Sequence, residues 1–256
     1  ANTCAPSRAM IMTGRYPTRN GLEFTPTAPG MNNALSILVD QSESVRLPFF
    51  YDEDADEQLP PFAEQGLPTE EYTIAELLRD NGYYTALIGK WHLGRSSGMA
   101  PNDQGFHDSL LMASGLYLPE DDDRVVNAKL SFDPIDQVLW SALTYANSFN
   151  TANHNRFKPG GYLTDYWTDE AIEVIKKNKS NPFFLYLAHF APHTPLQATV
   201  EDYQAVGPIF PHRKRVYAAM IKALDRSVEN LIQTLKSEGL DDNTICLLYT
   251  SDAADE

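Results

Sequence analysis

The chain has 256 residues, with 35 acidic and 20 basic side chains and a formal net charge of −15. Hydrophobic residues make up 43% and charged residues 21%, enough for a sizeable core and too apolar for general disorder. The acidity excludes broad binding to nucleic acid or to an anionic membrane, no apolar run reaches bilayer-spanning length, and two cysteines, Cys4 and Cys246, exclude a disulfide scaffold.

The first predicted element is a short helix: Pro6 suits a first turn, Ser7 to Met12 continue it, and Gly14 offers a left-handed stop. Residues 16–72 are rich in Pro, Gly, Asn and acids, including Asp52, Glu53, Asp54, Asp56 and Glu57, and read as long loop. Thr73 caps a predicted helix whose apolar side is Ile74, Leu77 and Leu78, with Gly82 as its C′ residue. A β-prone run from Tyr83 to Ile88 leads into a Gly-Lys-Trp-His loop, and residues 101–160 give no periodic signal. A helix starting at Thr164 or Asp165 runs to about Lys179 with Trp167, Ala171, Ile172 and Ile175 inward.

After Asn181-Pro182, the continuous apolar run Phe183 to Leu187 reads as a strand covered on both faces. The longest helix spans about Arg215 to Ser237, with Val216, Met220, Ile221, Leu224, Val228, Leu231, Ile232 and Leu235 at helical spacing and Gly239 as its stop. Thr244-Ile245 would begin another strand. This alternation predicts an α/β protein, a largely parallel sheet sandwiched by helices, with ligands beyond the carboxyl ends of the strands.

The densest chemical signal is Cys4-Ala5-Pro6-Ser7-Arg8, continuing to Thr13-Gly14-Arg15. An arbitrary cysteine is most often a small buried hydrophobe. Here Cys4 is placed just before a helix N-terminus, where unpaired N–H groups and the dipole favour an anion, and Arg8 projects one turn along on the same face. A thiolate nucleophile could be activated there, although hydrolysis through Cys normally uses a neighbouring His and the spacing alone shows none.

These residues resemble the sulfatase signature, in which a separate maturation enzyme oxidises the Cys to formylglycine. Gly82-Tyr83-Tyr84-Thr85 with Gly89-Lys90-Trp91-His92-Leu93-Gly94 looks like a second hallmark of that family. Pro182-Phe183-Phe184-Leu185-Tyr186 with Ala191-Pro192-His193-Thr194-Pro195-Leu196-Gln197 is similar to a third. The resemblance implies an alkaline-phosphatase-like fold and a sulfuric-ester hydrolase acting on a sulfated carbohydrate or an aryl sulfate. It gives Cys4, as a hydrated formylglycine, the attack on sulfur, and Arg8 the neutralisation of nearby negative charge. Lys90 would bind a sulfate oxygen, His92 would assist elimination, and His193 would act as general acid on the leaving oxygen. A Ca²⁺ ion with hard oxygen ligands, the modified Cys4 among them, would complete the anion clamp. A phosphonate or phosphate ester hydrolase of the same superfamily, or a catalytically dead relative binding anions or glycans, remains an alternative.

Isolated, Lys90, His92 and His193 would each read as loop or turn residues, and only their company with the Cys4 block changes that. His189 is expected to be structural or at a pocket rim; His107, His154 and His212 have no supporting context, and Ser114 matches a substrate-contacting Ser too loosely to use. The family's remaining metal ligands come from a strand before the Cys block and an Asp-Asn pair after the long helix. The chain begins three residues before Cys4, and residues Cys246 to Glu256 read as a translated sequencing adapter. Residues 1–245 are therefore expected to be a partial catalytic domain, incomplete at both ends and inactive as it stands, with 246–256 a non-native tail and Asp252 not assigned to metal. Exported bacterial relatives imply a periplasmic or secreted location.

Overall fold

A computed structural model describes residues 3–27, 30, 33, 36, 52–54, 58–96, 98–114, 116–130, 136, 139–140, 147–150 and 155–248. Asp56, Glu57, His154 and Asp252 lie outside these residues. Helix α1 (Cys4–Thr13) begins at Cys4 itself, one step earlier than the sequence suggests. Thr3, extended, is the N-cap, and its carbonyl accepts from Ser7 N–H at 3.1 Å, which draws Cys4 into the first turn. Gly14 ends the helix as expected, at φ 65°, with its N–H on the Met10 carbonyl.

The predicted loop 16–72 contains a four-residue helix, α2 (Pro17–Asn20), and a 3₁₀ turn over Phe62–Glu64. Its two described ends are zipped together: Gln65 exchanges two hydrogen bonds with the Thr27 backbone, 2.9 and 2.8 Å, and Arg15 pairs with Glu71 at 2.5 Å. Helix α3 (Ile74–Asp80) carries the capping box its sequence spells, Glu76 N–H on Thr73 Oγ1 and Thr73 N–H on the Glu76 carboxylate. Its inward residue is Ala75. Ile74 and Leu77, expected inside, are exposed, because the small Ala75 lets the helix lie close and turns the larger residues outward.

The main sheet has the order β5-β4-β2-β1-β6. Its strands are β1 (Tyr84–Gly89), β2 (Asp108–Ser114), β4 (Asn147–Asn150), β5 (Asn155–Phe157) and β6 (Phe183–Ala188). Strand β1 is parallel to both β2 and β6, while β4 and β5 extend the sheet by antiparallel pairing. The antiparallel end comes from the 101–160 stretch, where the sequence showed no period. A separate ribbon pairs β3 (Val125–Asn127) with β7 (Gln197–Thr199).

Side chains alternate across the sheet, as the two-residue period requires. Leu87, Leu111, Phe184 and Tyr186 face the layer holding α1 and α3. Ile88, Leu110, Leu185 and Leu187 face the layer of α4 (Leu163–Asn178) and α6 (His212–Ser237). Strand β6 thus has a layer on each face, but it stands at the sheet edge and its side chains up to Leu187 are only half-buried.

Helices α4 and α6 meet through small residues: Ala171 on one and Ala219, Ala223 and Ser227 on the other are buried. Hydrophobicity alone overlooks Ala and Ser, and for that reason the inward stripe of α6 is rotated from the expected one and Ile221 is 42% exposed. Gly239 stops α6 as expected, at φ 69°, with Leu240 N–H reaching back to the Leu235 carbonyl at 2.8 Å. A short helix α5 (Val200–Ala205) is locked beneath α6 by Arg226, which pairs with the buried Asp202 and with Asp165 at 2.8 Å. The expected strand at Thr244-Ile245 does not form among the described residues. Those residues lie in irregular chain with Ile245 88% exposed, and a strand has no stability without a neighbour to pair with.

Candidate active site

Parallel strands β1 and β6 are neighbours, in register from Tyr84 opposite Phe183 to Gly89 opposite Ala188. Their carboxyl ends therefore open side by side, and the two motif loops leave from the same spot. Lys90 N–H donates to the Ala188 carbonyl at 2.8 Å, continuing the ladder one step past β1. That close approach requires glycine at position 89: φ is 111°, and a Cβ would fall on the Ala188 carbonyl oxygen.

The loop 89–94 is held from below. Leu67 N–H bonds the Leu93 carbonyl at 2.9 Å, and the buried indole of Trp91 donates to the Met99 carbonyl at 3.0 Å. Within it His92 adopts φ 67°, a left-handed conformation that few non-glycine residues take. Strain of this kind is sustained only where the surroundings fix it, here the anchors at Trp91 and Leu93.

Helix α1 lies over the same opening. Arg8 Nη1 donates to the Lys90 carbonyl at 2.8 Å and to the Tyr186 hydroxyl at 3.3 Å. One guanidinium thus ties the Cys4 block to the Lys90-His92 block and to β6. Cys4, 5% exposed, sits in the first turn of α1, with Arg8 a turn further on. Lys90 Nζ stands 5.8 Å from the centroid of Phe190, on whose ring His193 stacks at 4.6 Å. His193 Nδ1 lies 2.6 Å from the Thr194 carbonyl, which can only accept. Nδ1 therefore carries its proton, and any proton that His193 exchanges with a ligand moves through Nε2.

Of the five residues singled out from sequence, Arg8 and Lys90 are in direct contact, Cys4 shares the helix of Arg8, His92 shares the loop of Lys90, and His193 joins through Phe190. Arg8, Lys90, His92 and His193 are all half-buried, and the acidic residues Asp52, Glu53 and Asp54 are exposed. Tyr186, Phe190 and Tyr117 were missed: nothing marks an aromatic as functional until its neighbours are known. Tyr117 is fully buried and donates to the His193 carbonyl at 3.0 Å; burial, and then the neighbouring Tyr162, push its hydroxyl pKa well up, so it stays a donor.

Three of the other histidines are structural. His107 bonds Thr85, His212 bridges Tyr203 and the Asn127 carbonyl, and His189 Nε2 lies 2.9 Å from Ser227 Oγ. Among the described residues no three His, Cys, Asp or Glu side chains gather as a metal cage. The described residues thus do not supply the carboxylate-rich shell that calcium requires. Among the described residues, no helix is long and apolar enough to cross a membrane.

The three-layer α/β fold thus defines a class of protein that gathers cationic side chains where two parallel strands end, Arg8 against Lys90 and both Lys90 and His193 beside Phe190, with Cys4 on the helix of Arg8. Comparison with known proteins sharpens this: the sulfatase family model matches residues 1–255, and the chain belongs to that family. It is 32% identical to the uncharacterized sulfatase YdeN of Escherichia coli, over 96% of this chain and 38% of that protein. It is 28% identical to the N-acetylgalactosamine-6-sulfatase of Mus musculus, over 97% of this chain and 41% of that one. The crystal structure of Ps i-CgsB in complex with k-i-k-neocarrahexaose superposes with a TM-score of 0.67 at 30% identity, covering 94% of this chain and 46% of the other. The chain thus spans about two fifths of the length of these curated relatives.

Proposed function

We propose that this chain is the nucleophile-bearing part of a sulfuric-ester hydrolase acting on a sulfated carbohydrate or an aryl sulfate, with Cys4 converted to formylglycine by a maturation enzyme. The observation that carries the reading is the Arg8 to Lys90 hydrogen bond, which joins motif blocks 82 residues apart at the carboxyl ends of two parallel strands. Formylglycine, when present at position 4, supplies an oxygen nucleophile toward sulfur in place of a thiol.

The side chains of this chain do the rest. The helix N-terminus and the Arg8 guanidinium favour negative charge beside position 4. Among the described residues only Nη1 of Arg8 is engaged by protein acceptors, out of a fork of five donors. Lys90 offers a point charge to a sulfate oxygen, and His193 delivers a proton to the leaving oxygen from Nε2. His92 takes up the proton released when sulfate leaves. The Ps i-CgsB complex, at 30% identity, supports a carbohydrate ester over a small aryl ester as the natural substrate.

Calcium would take its carboxylates from outside the described residues, and a periplasmic or secreted location follows the same analogy. The division at residue 245 belongs to this reading too, supported by the exposure of Leu247 at 90% and Leu248 at 76%. The test is coexpression of the uninterrupted gene with a formylglycine-generating enzyme, mass spectrometry of the Cys4 peptide, and hydrolysis of sulfate against phosphate monoesters. An aldehyde at position 4 with sulfate turnover, abolished by Cys4→Ala, is expected. Faster phosphate turnover would point to the superfamily rival, and an unmodified thiol without turnover to a binding relative.

A further inference from the structure

A ring that takes no part in the proposed chemistry stands beside both Lys90 and His193. Phe190 lies two residues past β6 and is 5% exposed. His193 stacks on it at 4.6 Å and 24°, and Tyr117 stacks on it at 5.4 Å and 27°. Tyr162 continues the column, 5.4 Å from Tyr117, and its hydroxyl donates to the Gln197 carbonyl at 2.8 Å. Four rings therefore run from the core out to the candidate site. The turn that carries the outer two is closed by His193 N–H on the Phe190 carbonyl at 2.9 Å and by the Tyr117 hydroxyl on the His193 carbonyl. The Lys90 ammonium stands over the same Phe190 ring at 5.8 Å.

We propose that Phe190 is a positioning residue: its π face fixes the His193 imidazole and the Lys90 ammonium relative to one another at the mouth of β1 and β6. That role rests on the proposed function, while the ring geometry stands without it. A protonated His193 and Lys90 are like charges brought to one anion. An aromatic face is attracted to both cations without adding a carboxylate that would compete with a sulfate. A side chain that merely filled space would be replaceable by leucine, which has comparable bulk but no quadrupole.

The first experiment reads His193 without turnover. In the intact chain with labelled histidine and phenylalanine, NMR is expected to show through-space contact between the Phe190 and His193 ring protons, with the His193 signals displaced upfield by the stacked ring. Phe190→Tyr should keep the slow solvent exchange of the His193 Nδ1 proton held on the Thr194 carbonyl, and Phe190→Leu should speed that exchange roughly tenfold. An Nδ1 proton equally protected in a folded Phe190→Leu would overturn the proposal. Should Phe190→Leu fail to fold, the wild-type contact decides, and its absence overturns it.

In the matured enzyme, Phe190→Leu should lower kcat roughly tenfold, the upper end for loss of one aromatic pair, with KM little changed and Phe190→Tyr restoring the rate. Equal loss in both variants would overturn it. An enzyme without sulfatase activity whose ring contact is intact would count against the functional reading alone, and a missing ring contact against this inference alone.

Discussion

Lowering the pH below 6.5 should destabilise this protein through His189 before most of its carboxylates are neutralised. His189 packs against Trp167, ring centroids 6.2 Å apart, with Nε2 on Ser227 Oγ, which in turn lies 2.6 Å from Thr168 Oγ1. The residue keeps part of its surface in solvent, but Nδ1 is sealed from water and has no hydrogen-bond partner among the described residues. Desolvation therefore lowers its pKa from 6.5 to about 4. Above pH 6.5 the ring is neutral folded and unfolded, and its contribution is fully present. Below that the unfolded chain takes the proton first, and stability falls by about 1.4 kcal/mol per unit until the folded ring titrates as well.

The whole window, from pH 6.5 down to about 4, is worth at most about 3 kcal/mol, and about 2 kcal/mol once the partial exposure of the residue is allowed for. Urea unfolding at half-unit pH steps from 7.5 to 4.5, on wild type and His189→Gln, isolates it. Gln still reaches Ser227 but does not titrate, so carboxylate effects cancel in the difference. The variant should lose less stability on acidification by about 2 kcal/mol. Parallel curves for the two proteins would refute the reasoning.

Three further changes probe the site's scaffold. Gly89→Ala places a methyl on the Ala188 carbonyl at a left-handed φ, and urea unfolding should show a loss of about 3 kcal/mol or more. His92→Gly should be about 1 kcal/mol more stable than His92→Ala, because glycine adopts φ 67° without the Cβ penalty; equal stabilities would show that the backbone there is unstrained. Arg8→Lys keeps the charge but cannot bridge the Lys90 carbonyl and Tyr186 together. In the matured enzyme kcat/KM should drop by about 100-fold while thermal unfolding moves little.

Much of the fold could be read from local rules. The Thr73 cap, the Gly14 and Gly239 stops and the apolar run of β6 are each decided within a few residues, and each formed as read. Where the reading missed, a partner distant in sequence decided. Ile221 points outward because Ala219 and Ala223, which a pattern of large apolar residues passes over, are what α4 can approach closely. The β4-β5 hairpin has no amphipathic period that survives its polar residues. The site divides the same way. Cys4, Arg8, Lys90, His92 and His193 could be singled out as candidates because reactive and charged residues in a motif carry their chemistry in their identity. Tyr117, Tyr186 and Phe190 have their importance from what they touch, which no local pattern encodes.

The burial of Cys4 bears on the order of events in the life of the chain. Its helix packs against Leu87 and Leu111 and is tied by one guanidinium to residues 82 and 178 positions away, so it docks in full only once β1 and β6, joined by the long detour through residues 90–182, have paired. Parallel pairing over such distances is a slow step in folding. Once the strands have paired, Cys4 is 5% exposed in the first turn of a helix. Any bulky reagent therefore reaches the Cys4 side chain more readily before this packing is complete, and the time it has is set by how fast the rest of the domain closes.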